Sequence, residues 1–225
     1  MARRLADEHG RAVRVLLSRE DVVRRGPKRP PIAAGVRRDG TGIVRVVATP
    51  GIEERIRRAA PGFEVEEVRV PGPPTSSSLR AAGWAEAAVL LAGARGRAEP
   101  VRSPSGGEAE AYIEPDGTVR VRVRCGDPLD DVVLRSYCIG AVHMALGWVT
   151  SEGIAVDEAG EPHDLTIRSF GVLRASDTPR IEVEIDDDGG EPVNGSDAVF
   201  AAVASALWVA QRCPPEWPTG IDVRR

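Results

Sequence analysis

Between residues 109 and 185 the apolar pattern changes period twice, from two to a helical repeat and back to two. Ala109, Ala111 and Ile113 alternate with polar residues, Pro115-Asp116-Gly117 turns, and Val119, Val121 and Val123 alternate again. Period-two runs joined by a short glycine-containing turn predict a β-hairpin. Arg120, Arg122 and Arg124 share the other face of its second strand, which predicts that this face meets solvent. Asp127-Pro128 then opens a helix, with Asp as N-cap, Pro at the first helical position and Asp130-Asp131 in the electropositive first turn. Apolar residues from Val133 to Trp148 hold that helix to a core, and Gly153 ends it. Ile181, Val183 and Ile185 alternate as a further strand. A hairpin, a long helix and another strand in that order call for helices packed on a sheet, an α+β domain.

The first half reads the same way with shorter pieces. Residues 2–9 predict one or two helical turns, residues 13–17 a strand, and Ser18 an N-cap. Gly26-Pro27 and Pro30-Pro31 forbid regular structure across 26–31. The basic run Arg24–Arg29 carries no aromatic residue for base stacking, and a solvated loop is expected there. Residues 32–38 and 43–48 flank Asp39-Gly40-Thr41-Gly42 and predict a hairpin, followed by a short helix over 52–60 and a strand from Phe63 to Val70. Thr75 to Ser78 offer N-caps for a helix from Leu79 to about Ala94, whose many Ala and Gly residues allow close packing. GRAEPVRSPSGG, residues 96–107, is the natural boundary, so the expected organisation is a half at 1–96, a linker at 97–107 and a half at 108–225. A final helix, 197–212, is expected after an acidic loop at 186–191, capped by Asn194 or Ser196, with Trp217 packing back from the tail.

Charge and cysteine usage narrow the function classes. A net charge of −4 gives no global case for nucleic acid or an anionic membrane. The three cysteines are an odd number and widely spaced, which predicts a reducing, cytoplasmic setting without a disulfide framework. No run of eighteen apolar residues occurs, and the N-terminus has no apolar core after its basic residues. Arg far outnumbers Lys and Ala, Val and Gly abound, a bias of high-GC bacterial genes. Cys138 and His143 are poorly spaced for two ligands on one helix face, so no metal ligands are predicted; no nucleophile elbow, dinucleotide fingerprint or phosphate loop is present either.

Against this generic picture, several segments in order resemble one family. Residues 2–31, ARRLADEHGRAVRVLLSREDVVRRGPKRPP, resemble the GR-x-V-R-x-x-x-S-R-E-D phrase of the molybdopterin-binding subunit of the xanthine dehydrogenase, aldehyde oxidase and carbon monoxide dehydrogenase family. TSSSLRAAGWAE, residues 75–86, resembles that family's turn into a helix and sets Arg80 in its arginine position. Residues 109–126 resemble the strand pair opening its second cofactor-binding half, and 139–179 its G-x-x-x-G-x-G helix, acidic turn and Asp-x-Pro loop. The resemblance implies two α/β subdomains with mixed or antiparallel sheets flanked by helices, as in molybdopterin-binding domains. It implies an oxidoreductase of the molybdenum hydroxylase type, with molybdopterin as cofactor and Arg80, Gly140 and His143 facing it. Its partners would be the other molybdopterin-domain half and FAD and iron–sulfur subunits, or else a homo-oligomer. The departures are specific. The chain begins beyond the place of the family's Gly-Gly-Phe-Gly loop, His143-Met144 replaces Gln-Gly, and Asp197 stands nearest the place of the catalytic glutamate. Two expectations follow: a subunit or split half that needs a partner chain for activity, or a non-catalytic relative serving as a binding, scaffold or assembly module.

Overall fold

The fold is described from a computed structural model, which covers residues 26–155, 157–159, 161–162, 166–186 and 189–223. The elements expected over 2–18 lie outside the described residues. The chain is α+β, with two small mixed sheets flanked by helices. The first sheet is built from β1 (Ile32–Val36), β2 (Gly42–Val47) and β3 (Phe63–Val68), with α1 (Ile52–Ala59) between the last two. The second contains β4 (Val101–Arg102), β5 (Glu108–Ile113), β6 (Val119–Arg124) and β7 (Ile181–Asp186), in that spatial order. Four further α-helices, α2 (Trp84–Arg95), α3 (Asp131–Thr150), the short α4 (Ile167–Phe170) and α5 (Ser196–Ala210), and a 3-10 turn at Ala175–Asp177 complete the described structure.

The two halves share one topology. In each, an antiparallel hairpin is followed by a helix, a strand parallel to the hairpin's second strand, and a closing helix. Parallel neighbours need such a crossover, because a tight turn cannot reverse the chain twice. Alternation places Val44 and Val46 of β2, and Val119, Val121 and Val123 of β6, on the buried faces. The opposite face of β6 carries Arg120, Arg122 and Arg124, as expected, and they meet acids from the flanking strands: Arg120 lies 3.1 Å from Glu182 and Arg122 2.8 Å from Asp186. The stretch expected to be a plain linker contributes β4, which pairs Val101 with Ala109 at the sheet edge.

α5 is the hub. Every residue from Ser196 through Leu207 is buried, between the second sheet, α3 and α2. A helix enclosed all round has no polar face, and here alanines let its neighbours approach. α2 comes close enough that a Cβ on Gly93 would collide with the Trp208 ring. One apolar core therefore runs from Ile52, Ile56 and Phe63 through α5 to Val142, Leu146 and Val149.

Two helix starts differ from expectation for local reasons. α2 begins at Trp84 rather than Leu79, because Ala81 (φ 51°) and Gly83 (φ 78°) hold left-handed backbone that a helix cannot include. α3 begins at Asp131, and its N-cap is Asp130, whose carboxylate accepts from the amides of Val132 and Val133 at 2.9 and 3.0 Å. The chain thus uses the aspartate that can reach two free amides.

Candidate functional site

The segment before α2 is pinned from several sides. Thr75 Oγ1 lies 2.6 Å from Thr49 Oγ1, and the Ser77 hydroxyl donates to the Pro50 carbonyl at 2.7 Å. These bonds turn the chain so that residues 80 and 81 meet the start of α5. Left-handed backbone at a non-glycine residue costs roughly 1 kcal/mol or more, and at Ala81 it is held by Arg29, which donates to the Ala81 carbonyl at 3.3 Å. Arg29 also bridges to Glu86 at 2.8 Å and lies 5.8 Å over the Trp148 ring. Part of the basic run expected to be solvated is therefore a strut, whose one local cue is a lone glutamate in a helix.

Arg80 and Asp197, from opposite halves, come together here. Arg80 Nε lies 3.9 Å from Asp197 Oδ1, an ion pair too long for a hydrogen bond. Arg80 Nη1 is buried with no hydrogen-bond partner among the described residues. Asp197 is 6% exposed. Burial holds its carboxyl above the usual range, against the opposing pull of the Ala81 amide and then of Arg80, Arg55 and Arg29. Desolvation thus outweighs three arginines and an amide together.

Arg80 also lines a cleft of about 550 Å³ between the first turns of α3 and the approach to α5. Leu129, Val133 and Tyr137 form one wall, Val193 to Ser196 another, and Cys125 lies at its base. The approach to α5 is tight: a Cβ on Gly195 would meet Val123 at 2.8 Å and Cys125 at 3.0 Å. Cys138 is buried beside it, its thiol pushed up to about 11 by burial and by Cys125, with Arg135 and Arg80 opposing. Such a thiol is inert at neutral pH. Asp197 is not on the cleft wall; it lies in the first turn of α5, 3.9 Å from Arg80.

Gly140 and His143 lie elsewhere. A Cβ on Gly140 would have nothing within 4 Å, because it sits on the outward face of α3. His143 Nε2 is 2.9 Å from the Leu173 carbonyl and ties α3 to the loop after α4. Neither lines the cleft. Glu152 folds over Gly147 at the end of α3, where burial raises its carboxyl and His143 opposes. Among the described residues, no three His, Cys, Asp or Glu side chains gather as a metal site would require.

No protein-family model matches the sequence, and no curated protein does. Among solved structures the chain is similar to a Cu,Mo carbon monoxide dehydrogenase in its carbon monoxide-reduced state, at 12% identity and TM-score 0.40, covering 94% of this chain and 41% of that one. A reconstituted CO dehydrogenase from Oligotropha carboxidovorans matches at 12% identity and TM-score 0.38, over 91% and 40% of the two chains. Quinoline 2-oxidoreductase from Pseudomonas putida 86 matches at 11% and 0.39, over 79% and 34%. The chain thus spans well under half the length of each of these proteins.

Proposed function

We propose that this chain is a non-catalytic binding and assembly module, a short relative of the molybdenum hydroxylases rather than a self-sufficient one. One observation carries the reading. The carboxylate in the place of the family's catalytic glutamate is 6% exposed, lies 3.9 Å from the Arg80 guanidinium and is not among the residues that line the cleft. A general base must come within hydrogen-bond reach of the proton it takes, and a displacement of about 1 Å costs on the order of a hundredfold in rate. Asp197 in this position pairs with Arg80 and joins the two halves.

The residues present do not fit a molybdopterin as a set. Arg80, with an unused donor beside a cleft, suits an anionic group, but Gly140 opens to solvent and His143 bonds Leu173. No chemical step is therefore routed through that cofactor. The test is to purify the chain from a molybdenum-replete host and measure metal, pterin and cooperative unfolding. A metal-free preparation with one sharp transition is expected. Stoichiometric molybdenum and pterin that disappear in Arg80→Ala would overturn the reading.

The meeting of Arg80 and Asp197 favours a second reading. Residues that the resemblance assigned to one active site do converge, as they would in a split half whose site a separate chain completes. Under that reading, co-purification with such a chain yields a molybdenum-loaded complex, and Arg80→Ala lowers its metal content.

A further inference from the structure

α3 carries an apolar face that nothing among the described residues covers. Leu129 just before the helix is 94% exposed and Val132 78%, and Val133, Tyr137, Ile139 and Met144 are also open to solvent. Three- and four-residue spacings place Val133, Tyr137, Gly140 and Met144 in line, one above the other. Ser136 joins them, and no charged residue does. Arg135 points the other way and donates to the Val183 carbonyl. A soluble helix normally keeps its apolar stripe inward and its charges outward. Here both faces of the same helix are apolar.

From these residues we infer that the outward face of α3 is the interface of a two-fold dimer of this chain. The face exposes roughly 600 Å² of apolar surface, against about 800 Å² per partner in an interface of standard size. Side chains along the flanks of the helix can supply the remainder. A two-fold contact sets each residue against its own surface patch, so a charged stripe would repel itself, whereas this one holds no charge to oppose. Gly140 stands in the middle of the stripe with open space above it. Two helices crossing there can approach to the close end of the usual 8–10 Å interaxial range.

The stripe is continuous with the cleft, since Leu129, Val133 and Tyr137 belong to both. Pairing through α3 therefore lays a second copy along one wall of the space that Arg80 faces. This deepens the assembly reading by naming the partner, yet it stands or falls separately: metal content decides the former, and association state the latter. By length and composition alone α3 could also cross a bilayer. Arg135 in its second turn, bonded to the sheet, favours a protein partner.

The test is sedimentation velocity of the full chain from about 1 to 100 µM, a range that brackets micromolar dissociation constants. The expected species has twice the 24.0 kDa mass of one chain. Tyr137→Lys and Met144→Lys are each expected to raise the dissociation constant at least tenfold with unchanged circular dichroism. As an independent readout, Gly140→Cys in a Cys213→Ser background should form an intermolecular disulfide under mild oxidation. A monomer throughout the range, a dimer indifferent to both lysines and uncross-linked at 140, or binding to phosphatidylcholine–phosphatidylglycerol vesicles that both lysines abolish would each overturn the inference.

Discussion

Asp197 is the residue on which function and stability meet. Burial raises its carboxyl above the unfolded value, so the folded chain binds that proton more tightly than the unfolded one does. The stability this proton confers is present in full below about pH 3.9 and is lost as pH rises through the folded value. Asp197→Asn keeps the side chain's shape and removes the charge. Thermal melts should show the wild-type decline across that window and a flatter profile in the variant. At pH 7 the variant should melt at or above the wild-type temperature, within about 3 °C; a large fall would mean that the pairing with Arg80 outweighs burial. The cysteines give a second residue-scale expectation. Cys125 and Cys138 are buried and Cys213 is half-buried, so a thiol reagent at pH 8 should label at most one site quickly and three after denaturation.

Among the elements, the contact of α2 with α5 is the least tolerant of added volume. Gly93→Ala must displace the Trp208 ring, whose indole nitrogen donates to the Pro214 carbonyl at 3.1 Å and whose edge meets Trp217 at 5.8 Å. The ring cannot yield without loosening the C-terminal tail. Overpacking of this kind costs about 1–3 kcal/mol, readable as a lower urea midpoint with an unchanged slope. This scale also shows what the sequence could reveal. Both hairpins were legible because alternation and a glycine turn are local signals, and β7 followed from three alternating residues. The start of α2 was not, because Ala81 takes left-handed backbone where Arg29, far away in sequence, binds its carbonyl. Nor could periodicity show that β3 and β7 pair parallel to β2 and β6, since pairing partners are chosen by the crossover helices. Arg80 and Asp197 were found only through family resemblance. No local pattern joins a residue before α2 to one in the first turn of α5.

Over the whole molecule, the two halves repeat one topology yet share a single core through α5. Equilibrium unfolding in urea should therefore show one transition, coincident by circular dichroism and by tryptophan fluorescence. Two separated transitions would mean that the halves are independent domains joined at 97–107. The repeat also bears on association. β7 is the outer strand of the second sheet, and its solvent-facing residues are Glu182, Glu184 and Asp186. Within the chain those acids are neutralised by the arginines of β6. Between chains they act differently. An open strand edge is a template for further strands, and a row of like charges discourages identical molecules from adding to it. On the proposal above, the charged row of β7 discourages edge-to-edge addition, while the uncharged side of α3 is where copies meet.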